Sequence, residues 1–466
     1  MIPPDVAAAK ERTRTPNMSS RCRMPAIAPL IAKANVPIRS STVKRRLTTT
    51  SSRMGIMVRG ASEQHSGSPV ATIILRQPPL HLLQRSGRAG SFAQVRIERR
   101  FPPLHAMNRR SFVTTAAGAS ASASAATSQA SASTAESAPG RPALRCSSDG
   151  LFRVLAISDL HYGPARDPQG IALTERLIDT EKPNLVVVNG DCLSGKECRD
   201  EAGLRTAIGN VAAAMESRRV PWAITFGNHD QEHEPATGIG KDAVLAMYAA
   251  YPHNLNGGAA EGLTGAGNKH ILIWDAAGAK PVYCIWLIDS NAYFTDGKNH
   301  PYDWIHSDQI QWYTRTSIAL EKQHGAKIPG LMFFHIPLPE FAEMVNKAKI
   351  IGVRQEHECP SPVNGGMFAA LLDRGDVRGV YCGHDHVNNY MGRWRGIELG
   401  YDGCIGHLTY PRLPPQDPGH LHIRGGRVFE ITAGAPALHR TWMRFKSGAK
   451  NWESESEALT KDHIKS

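Results

Sequence analysis

Five times along this 466-residue chain, a run of apolar side chains ends on residues able to bind a metal or move a proton. Asp159 and His161 follow the first run, Asp191 the second, Asn228 and His229 the third, His335 the fourth, and His384 with His386 the fifth. Carboxylate, imidazole and amide groups are ligands for borderline and hard divalent metals, and one carboxylate can bridge two ions about 3.5 to 4 Å apart. Singly each fragment says little: a D-x-H triplet arises by chance, and Gly383-His384-Asp385-His386 reads equally well as a turn with half-exposed histidines. Five in succession, each closing an apolar run, point to a two-metal centre.

Residues up to 227 positions apart meet only if the fold brings the run ends together, and the carboxyl ends of strands in an α/β sheet do this. The runs 152–157, 185–188, 221–226, 282–288, 331–334 and 380–382 read as strands. Between them, 171–180, 202–218, 241–251 and 307–321 read as helices, the first with Leu173, Leu177 and Ile178 on one face. Strands apolar on both faces, alternating with amphipathic helices, predict a largely parallel sheet covered on both sides. Residues 231–270 read as an excursion over the active face, and the Gly-rich segments through 428–431 as antiparallel strands. No interior linker interrupts 145–445, which reads as one domain followed by a polar, frayed tail over 446–466.

The five fragments resemble the calcineurin-like metallophosphoesterase superfamily, whose pattern is D-x-H, G-D-x-x, G-N-H-[DE], a lone His and G-H-x-H. Here these stand as Asp159-Leu160-His161, Gly190-Asp191-Cys192-Leu193, Gly227-Asn228-His229-Asp230, His335 and Gly383-His384-Asp385-His386. The resemblance implies an α/β fold: a β-sandwich of mixed sheets flanked by helices, four layers in all. It also implies that one metal is held by Asp159, His161 and His386, a second by Asn228, His335 and His384, with Asp191 bridging. A hydroxide held by the metals would attack phosphorus in line. His229, not a ligand, would stabilise the phosphoryl charge or protonate the leaving oxygen; Asp230 would orient it, or else cap a helix or bond the loop backbone. Within the superfamily the chain looks like the small, single-domain relatives of purple acid phosphatases. It departs from the purple enzymes in two places: Ser194 stands where they have a tyrosine ligand, and His161 where they usually have glycine. The resemblance therefore implies two metal ions, Mn, Zn or Fe, without a charge-transfer colour.

The net charge of +12 does not mark a nucleic-acid-binding body. Residues 1–106 hold 18 Lys or Arg against 4 Asp or Glu, while 111–466 hold 34 against 38, a net of −4. The first 106 residues lack sustained periodicity and read as a disordered or non-native extension, with Val70–Leu75 as one short strand. From Met107 the text changes: Arg109-Arg110-Ser111-Phe112-Val113 precedes an Ala/Ser/Thr run with A-x-A triplets, and 107–140 resembles a twin-arginine export signal and linker. That predicts a periplasmic or extracellular protein, with Met107 a better start than Met1. No stretch reaches 18 consecutive apolar residues, so no membrane span is expected. Cys192 and Cys198 are close enough in sequence for a disulfide, which the sequence does not assign. The pocket walls are expected in 231–270 and 390–415, where Arg393, Arg395 and Arg412 are candidate phosphate contacts and Trp394 either stacks on a leaving group or packs beneath the surface. The expected partner is a small phosphorylated substrate, with monoester hydrolysis favoured, phosphodiester hydrolysis second, and a non-catalytic metal-binding scaffold as the reading from another class.

Overall fold

The computed structural model describes residues 36–37, 70–71, 143–409, 422–434 and 439–455. The chain divides into two compact units, 1–126 and 127–466. In the first, β1 (Val36–Pro37) pairs antiparallel with β2 (Val70–Ala71), the start of the strand expected at 70–75. The export signal expected over 107–140 lies outside the described residues.

The second unit begins with β3 (Leu144–Arg145), β4 (Leu151–Ile157), α1 (Pro168–Glu181), β5 (Leu185–Asn189), α2 (Glu201–Arg218), β6 (Trp222–Thr225), α3 (Glu234–Thr237) and α4 (Lys241–Ala249). It continues through β7 (Lys269–Trp274), β8 (Pro281–Leu287), α5 (Ser307–His324), β9 (Gly330–Phe333), α6 (Pro339–Lys347), β10 (Ile350–Ile351), α7 (Met367–Arg374) and β11 (Val377–Cys382). It closes with β12 (Met391–Trp394), β13 (Ile397–Tyr401), β14 (Gly425–Thr432), β15 (His439–Phe445) and β16 (Lys450–Glu455). Local chemistry sets several boundaries. Asp167 accepts from the amides of Gln169 and Gly170 ahead of Pro168, and Asp200 accepts from Gly203 N, so α1 and α2 begin on capped turns.

Two mixed sheets flanked by helices form, as the resemblance implies, and the largely parallel sheet expected from the apolar runs alone is corrected. One has the order β16-β15-β14-β4-β5-β6 and the other β10-β12-β13-β11-β9-β8-β7-β3. β4, β5 and β6 are parallel to one another, as are β8, β9, β11 and β13; β3 also pairs parallel with β7, and the other neighbours in the two sheets pair antiparallel. The sheets share a core: Phe152, Val154, Ala156, Leu185, Val187 and Phe429 from one face meet Tyr283, Ile285, Leu287, Leu331, Phe333 and Tyr381 from the other. The alternate residues of the same strands, such as Leu155, Val186 and Ile224, pack with α1, α2 and α4; Trp286, Met332 and Val380 pack with α5, α6 and α7. A strand between a sheet and a helix layer is as apolar on both faces as one between two helix layers, so the periodicity does not separate the two architectures.

The polar tail is corrected in part: 450–455 form β16, an edge strand with alternating exposure whose Lys450 Nζ lies 4.3 Å from the Trp442 ring centroid. Cys146, Cys192, Cys198, Cys284, Cys382 and Cys404 are free and buried, so Cys192 and Cys198 form no disulfide, and Cys359 is half-buried. Among the described residues, no helix is long and apolar enough to cross a membrane.

Candidate metal centre

The five fragments follow β4, β5 and β6 of one sheet and β9 and β11 of the other, so the centre lies where strand ends from both sheets meet. Asn189, fully buried at the end of β5, ties them together: its Nδ2 donates to Phe334 O (3.2 Å), Tyr381 O (3.0 Å) and Asp402 Oδ2 (2.6 Å), while Thr225 Oγ1 donates to its Oδ1 (2.8 Å).

Ligand atoms of Asp159, His161, Asp191 and His386 lie within 4.8 Å of one another, as do those of Asp191, His335 and His384. Asp191 belongs to both groups, and one oxygen serves both sides: Oδ2 is 3.4 Å from His161 Nε2 and 3.1 Å from His335 Nε2. Its Oδ1 is taken by the backbone N–H of His229 at 2.8 Å. Asp191 Oδ2, His335 Nε2 and Asn228 Oδ1 are buried yet have no hydrogen-bond partner among the described residues. Nitrogen also faces nitrogen, with His161 Nε2 3.2 Å from His386 Nε2. Buried lone pairs converging in this way are costly unless a cation receives them, and the donor set of imidazole, carboxylate and amide suits two divalent ions.

The backbone is bent to make this possible. Asp159, His161, Asp191 and His384 hold φ angles of +53°, +47°, +46° and +77°, a left-handed region that costs a non-glycine residue of order 1–3 kcal/mol and concentrates at functional sites. The motif glycines clear the space around them. A Cβ on Gly190 would stand 2.5 Å from His335 Cβ, one on Gly227 would be 2.7 Å from His335 Cδ2, and one on Gly383 would be 2.7 Å from Asp159 Oδ2.

Outer contacts set the protonation states. His335 Nδ1 meets Asn189 O at 3.0 Å, which fixes the proton there and presents Nε2. Burial opposes charge on His335, but the Asp191 and Asp159 carboxylates outweigh it and raise the group to about 10. Burial works against ionising Asp159 and Asp191, but their histidines outweigh it and hold both below the ordinary carboxylate range. Burial and neighbouring His335 press His384 down to about 3, and burial lowers His161, leaving both rings as the neutral donors metal binding requires.

His229 stands beside the ligand groups without joining either. Its side chain is 35% exposed, and its ring centroid lies 4.9 Å from that of His161. Of the two readings of Asp230, the contacts match the loop bond and not the orientation of His229: its carboxylate accepts from Leu193 N (2.9 Å) and Gly227 N (2.7 Å), bracing the loops under the site. Glu232 is the carboxylate that meets His229, with Oε2 2.9 Å from His229 Nδ1 and Oε1 2.9 Å from Lys196 Nζ. Burial of the His229 ring disfavours its charge, yet the Asp191 and Glu232 carboxylates hold it above its ordinary value.

Asn228 Nδ2 donates to Tyr293 Oη at 2.8 Å, and the Tyr302 ring meets the His384 ring edge-on at 4.4 Å. These tyrosines stand in 291–305, outside both expected walls. Asp296-Gly297 between aromatic residues is a hairpin signal that would have marked the segment. The described part of the second expected wall, 390–409, contributes packing: Trp394 is buried in the outer core and Arg393 donates to Glu398 Oε1 (3.2 Å), while Arg412 lies outside the described residues. Ser194 Oγ donates to His161 O at 3.1 Å and so supports a ligand's backbone.

The calcineurin-like phosphoesterase family model matches residues 152–388. The chain is 33% identical to "Probable inactive purple acid phosphatase 14" of Arabidopsis thaliana over 59% of its own length and 75% of that protein's. It is 34% identical to "Probable inactive purple acid phosphatase 29" of the same plant, over 58% and 76%. Among solved structures, a dimetal phosphatase from Danio rerio superposes with a TM-score of 0.43 at 14% identity, covering 66% of this chain and 99% of that one.

Proposed function

The chain belongs to the calcineurin-like phosphoesterase family, and on that footing we propose that it hydrolyses phosphate monoesters in the manner of an acid phosphatase. Asp159, His161, Asp191 and His386 would hold one metal, and Asp191, Asn228, His335 and His384 the other. Bound there, divalent ions supply Lewis acidity toward phosphoryl oxygens and make a water acidic enough to act as nucleophile near neutral pH. His229, oriented by Glu232, offers a proton to the departing oxygen or charge to the phosphoryl group. The Asp191 oxygen facing the histidines is kept for the metals, because the His229 amide occupies the other.

The observation that carries this reading is His229: an accessible imidazole with its own carboxylate partner, set against the ligands and absent from both groups. A scaffold that only binds metal has no use for it. The non-catalytic reading draws on the word "inactive" in the names of the two Arabidopsis relatives. His229→Ala is expected to retain both metals and lose turnover by roughly 10²- to 10⁴-fold. The loss should be largest for an alkyl phosphate and smaller for 4-nitrophenyl phosphate, whose leaving oxygen needs no proton. Running bis(4-nitrophenyl) phosphate beside them ranks diester against monoester. Metal-replete wild type that turns over none of the three would establish the scaffold reading instead. We also propose export through the twin-arginine-like run at Arg109 and Arg110, on the residue types alone; cell fractionation of protein with both changed to Lys tests it.

A further inference from the structure

Past the end of β8 the chain folds back on itself before entering α5. Phe294 N donates to Pro301 O (3.1 Å) and Asp303 N to Ala292 O (3.0 Å), while Asp296 Oδ1 accepts from the amides of Lys298 and Asn299 at the tip. Tyr293 and Tyr302 are opposite each other across this pairing, with ring centroids 5.5 Å apart and planes at 27°. A second aromatic contact braces the hairpin, Phe294 against Trp304 at 5.0 Å. The stack is anchored to the metal centre at both rings: Tyr293 Oη accepts from Asn228 Nδ2, and Tyr302 presses edge-on against His384. Tyr293 thus starts at a ligand and runs outward, and its 37% exposure makes it the one exposed Phe, Tyr or Trp among the described residues. An aromatic ring left in water, pinned at its polar end and stacked on one side, is a surface prepared for another planar group. His229 lies on the other flank, against His161.

We propose that Tyr293 and Tyr302 form the wall that receives the organic part of the ester, and that this part is a planar aromatic group. The inference rests on reading the centre as a phosphoesterase site. The two tyrosines contact Asn228 and His384, ligands of one metal position, so a phosphoryl group between His229 and this wall would lay its substituent along the Tyr293 ring. The hairpin fixes the stack in advance, so little freedom is lost when a third ring is added.

The test compares esters whose leaving oxygens both sit on a CH₂ group and differ only in the ring: benzyl phosphate and cyclohexylmethyl phosphate. Wild type should prefer the benzyl ester in kcat/KM by about three- to tenfold, the range of a single added aromatic contact. Tyr293→Phe should keep the preference, whereas Tyr293→Leu should bring the ratio close to one. Because a ratio is read, any loss common to both esters through the Asn228 contact cancels. Adenosine 5′-phosphate against ribose 5-phosphate, run in parallel, tells a nucleobase from a simple aryl group. A wild-type ratio near one in both pairs, or a ratio undiminished in both Tyr293→Leu and Tyr302→Leu, overturns the wall. Should metal-replete wild type hydrolyse neither of these esters, nor 4-nitrophenyl phosphate, nor bis(4-nitrophenyl) phosphate, the phosphoesterase reading is what fails. The wall is then judged by calorimetric binding of benzylphosphonate and cyclohexylmethylphosphonate, where the same preference and the same collapse in Tyr293→Leu are required.

Discussion

Glu232 joins the exposed ammonium of Lys196 to the His229 imidazole. Glu232→Gln keeps the shape and removes the charge. Turnover should fall by roughly ten- to a hundredfold, the effect of losing an outer carboxylate on a functional histidine, while elemental analysis still finds two metals. A variant that loses metal in step with activity would show that Glu232 supports the ligands rather than His229. The sequence names His229 readily, because it sits inside a motif, but it hides the partner. Asp230 is adjacent and acidic, yet it points to the amides of Leu193 and Gly227; Glu232, three residues on, returns to His229 through the turn closed by its own amide on His229 O (3.2 Å). Neighbours in sequence diverge in a turn and residues three apart converge.

The two sheets are held together away from the centre by a buried polar chain. Tyr283 Oη meets His439 Nδ1 at 2.9 Å, His439 Nε2 meets Glu398 Oε2 at 2.9 Å, and Tyr381 Oη donates to the same oxygen at 2.8 Å. His439 lies on β15 of one sheet; Tyr283, Tyr381 and Glu398 lie on β8, β11 and β13 of the other. Burial alone would raise Glu398, but His439, Tyr381 and Arg393 outweigh it and hold the carboxyl below its ordinary value. A carboxyl depressed in the folded state contributes stability that is complete above the unfolded value, about 4.3, and is lost as pH falls through the folded value. Glu398→Gln should therefore cost about 1.5–3 kcal/mol at pH 7 in urea unfolding. The gap should hold down to about pH 4.3 and narrow below it; a gap independent of pH throughout would mean that Glu398 carries no charge in the fold. Strand positions were readable from apolar runs such as 152–157 and 185–188. Pairing across sheets was not, since His439 and Tyr283 are 156 positions apart and nothing local in either marks the other.

Over the whole body, three apolar cores carry the fold and the metals add to it. Ions that bind only the folded chain stabilise it by about 2.7 kcal/mol per site at a hundredfold excess over Kd, which for a domain of this size raises Tm by roughly 4 °C per site. Dialysis against a chelator should lower Tm by that order and leave far-UV circular dichroism unchanged. Loss of secondary structure on chelation would instead make the ions part of the fold. Charge arithmetic had separated the basic first 106 residues from an acidic body, and the motif spacing located the centre. That arithmetic is silent on the 291–305 hairpin, because its tyrosines act through position and carry no charge.

The free thiols bear on where such a chain can work. Burial raises Cys192, Cys284 and Cys382 well above the ordinary thiol value, and Cys404 to about 12. A sulfur that is neither ionised nor reachable reacts slowly with oxidants and with other disulfides. The six buried sulfurs therefore neither gain a cross-link in an oxidising compartment nor lose one in a reducing compartment, whereas Cys359 is only half-buried.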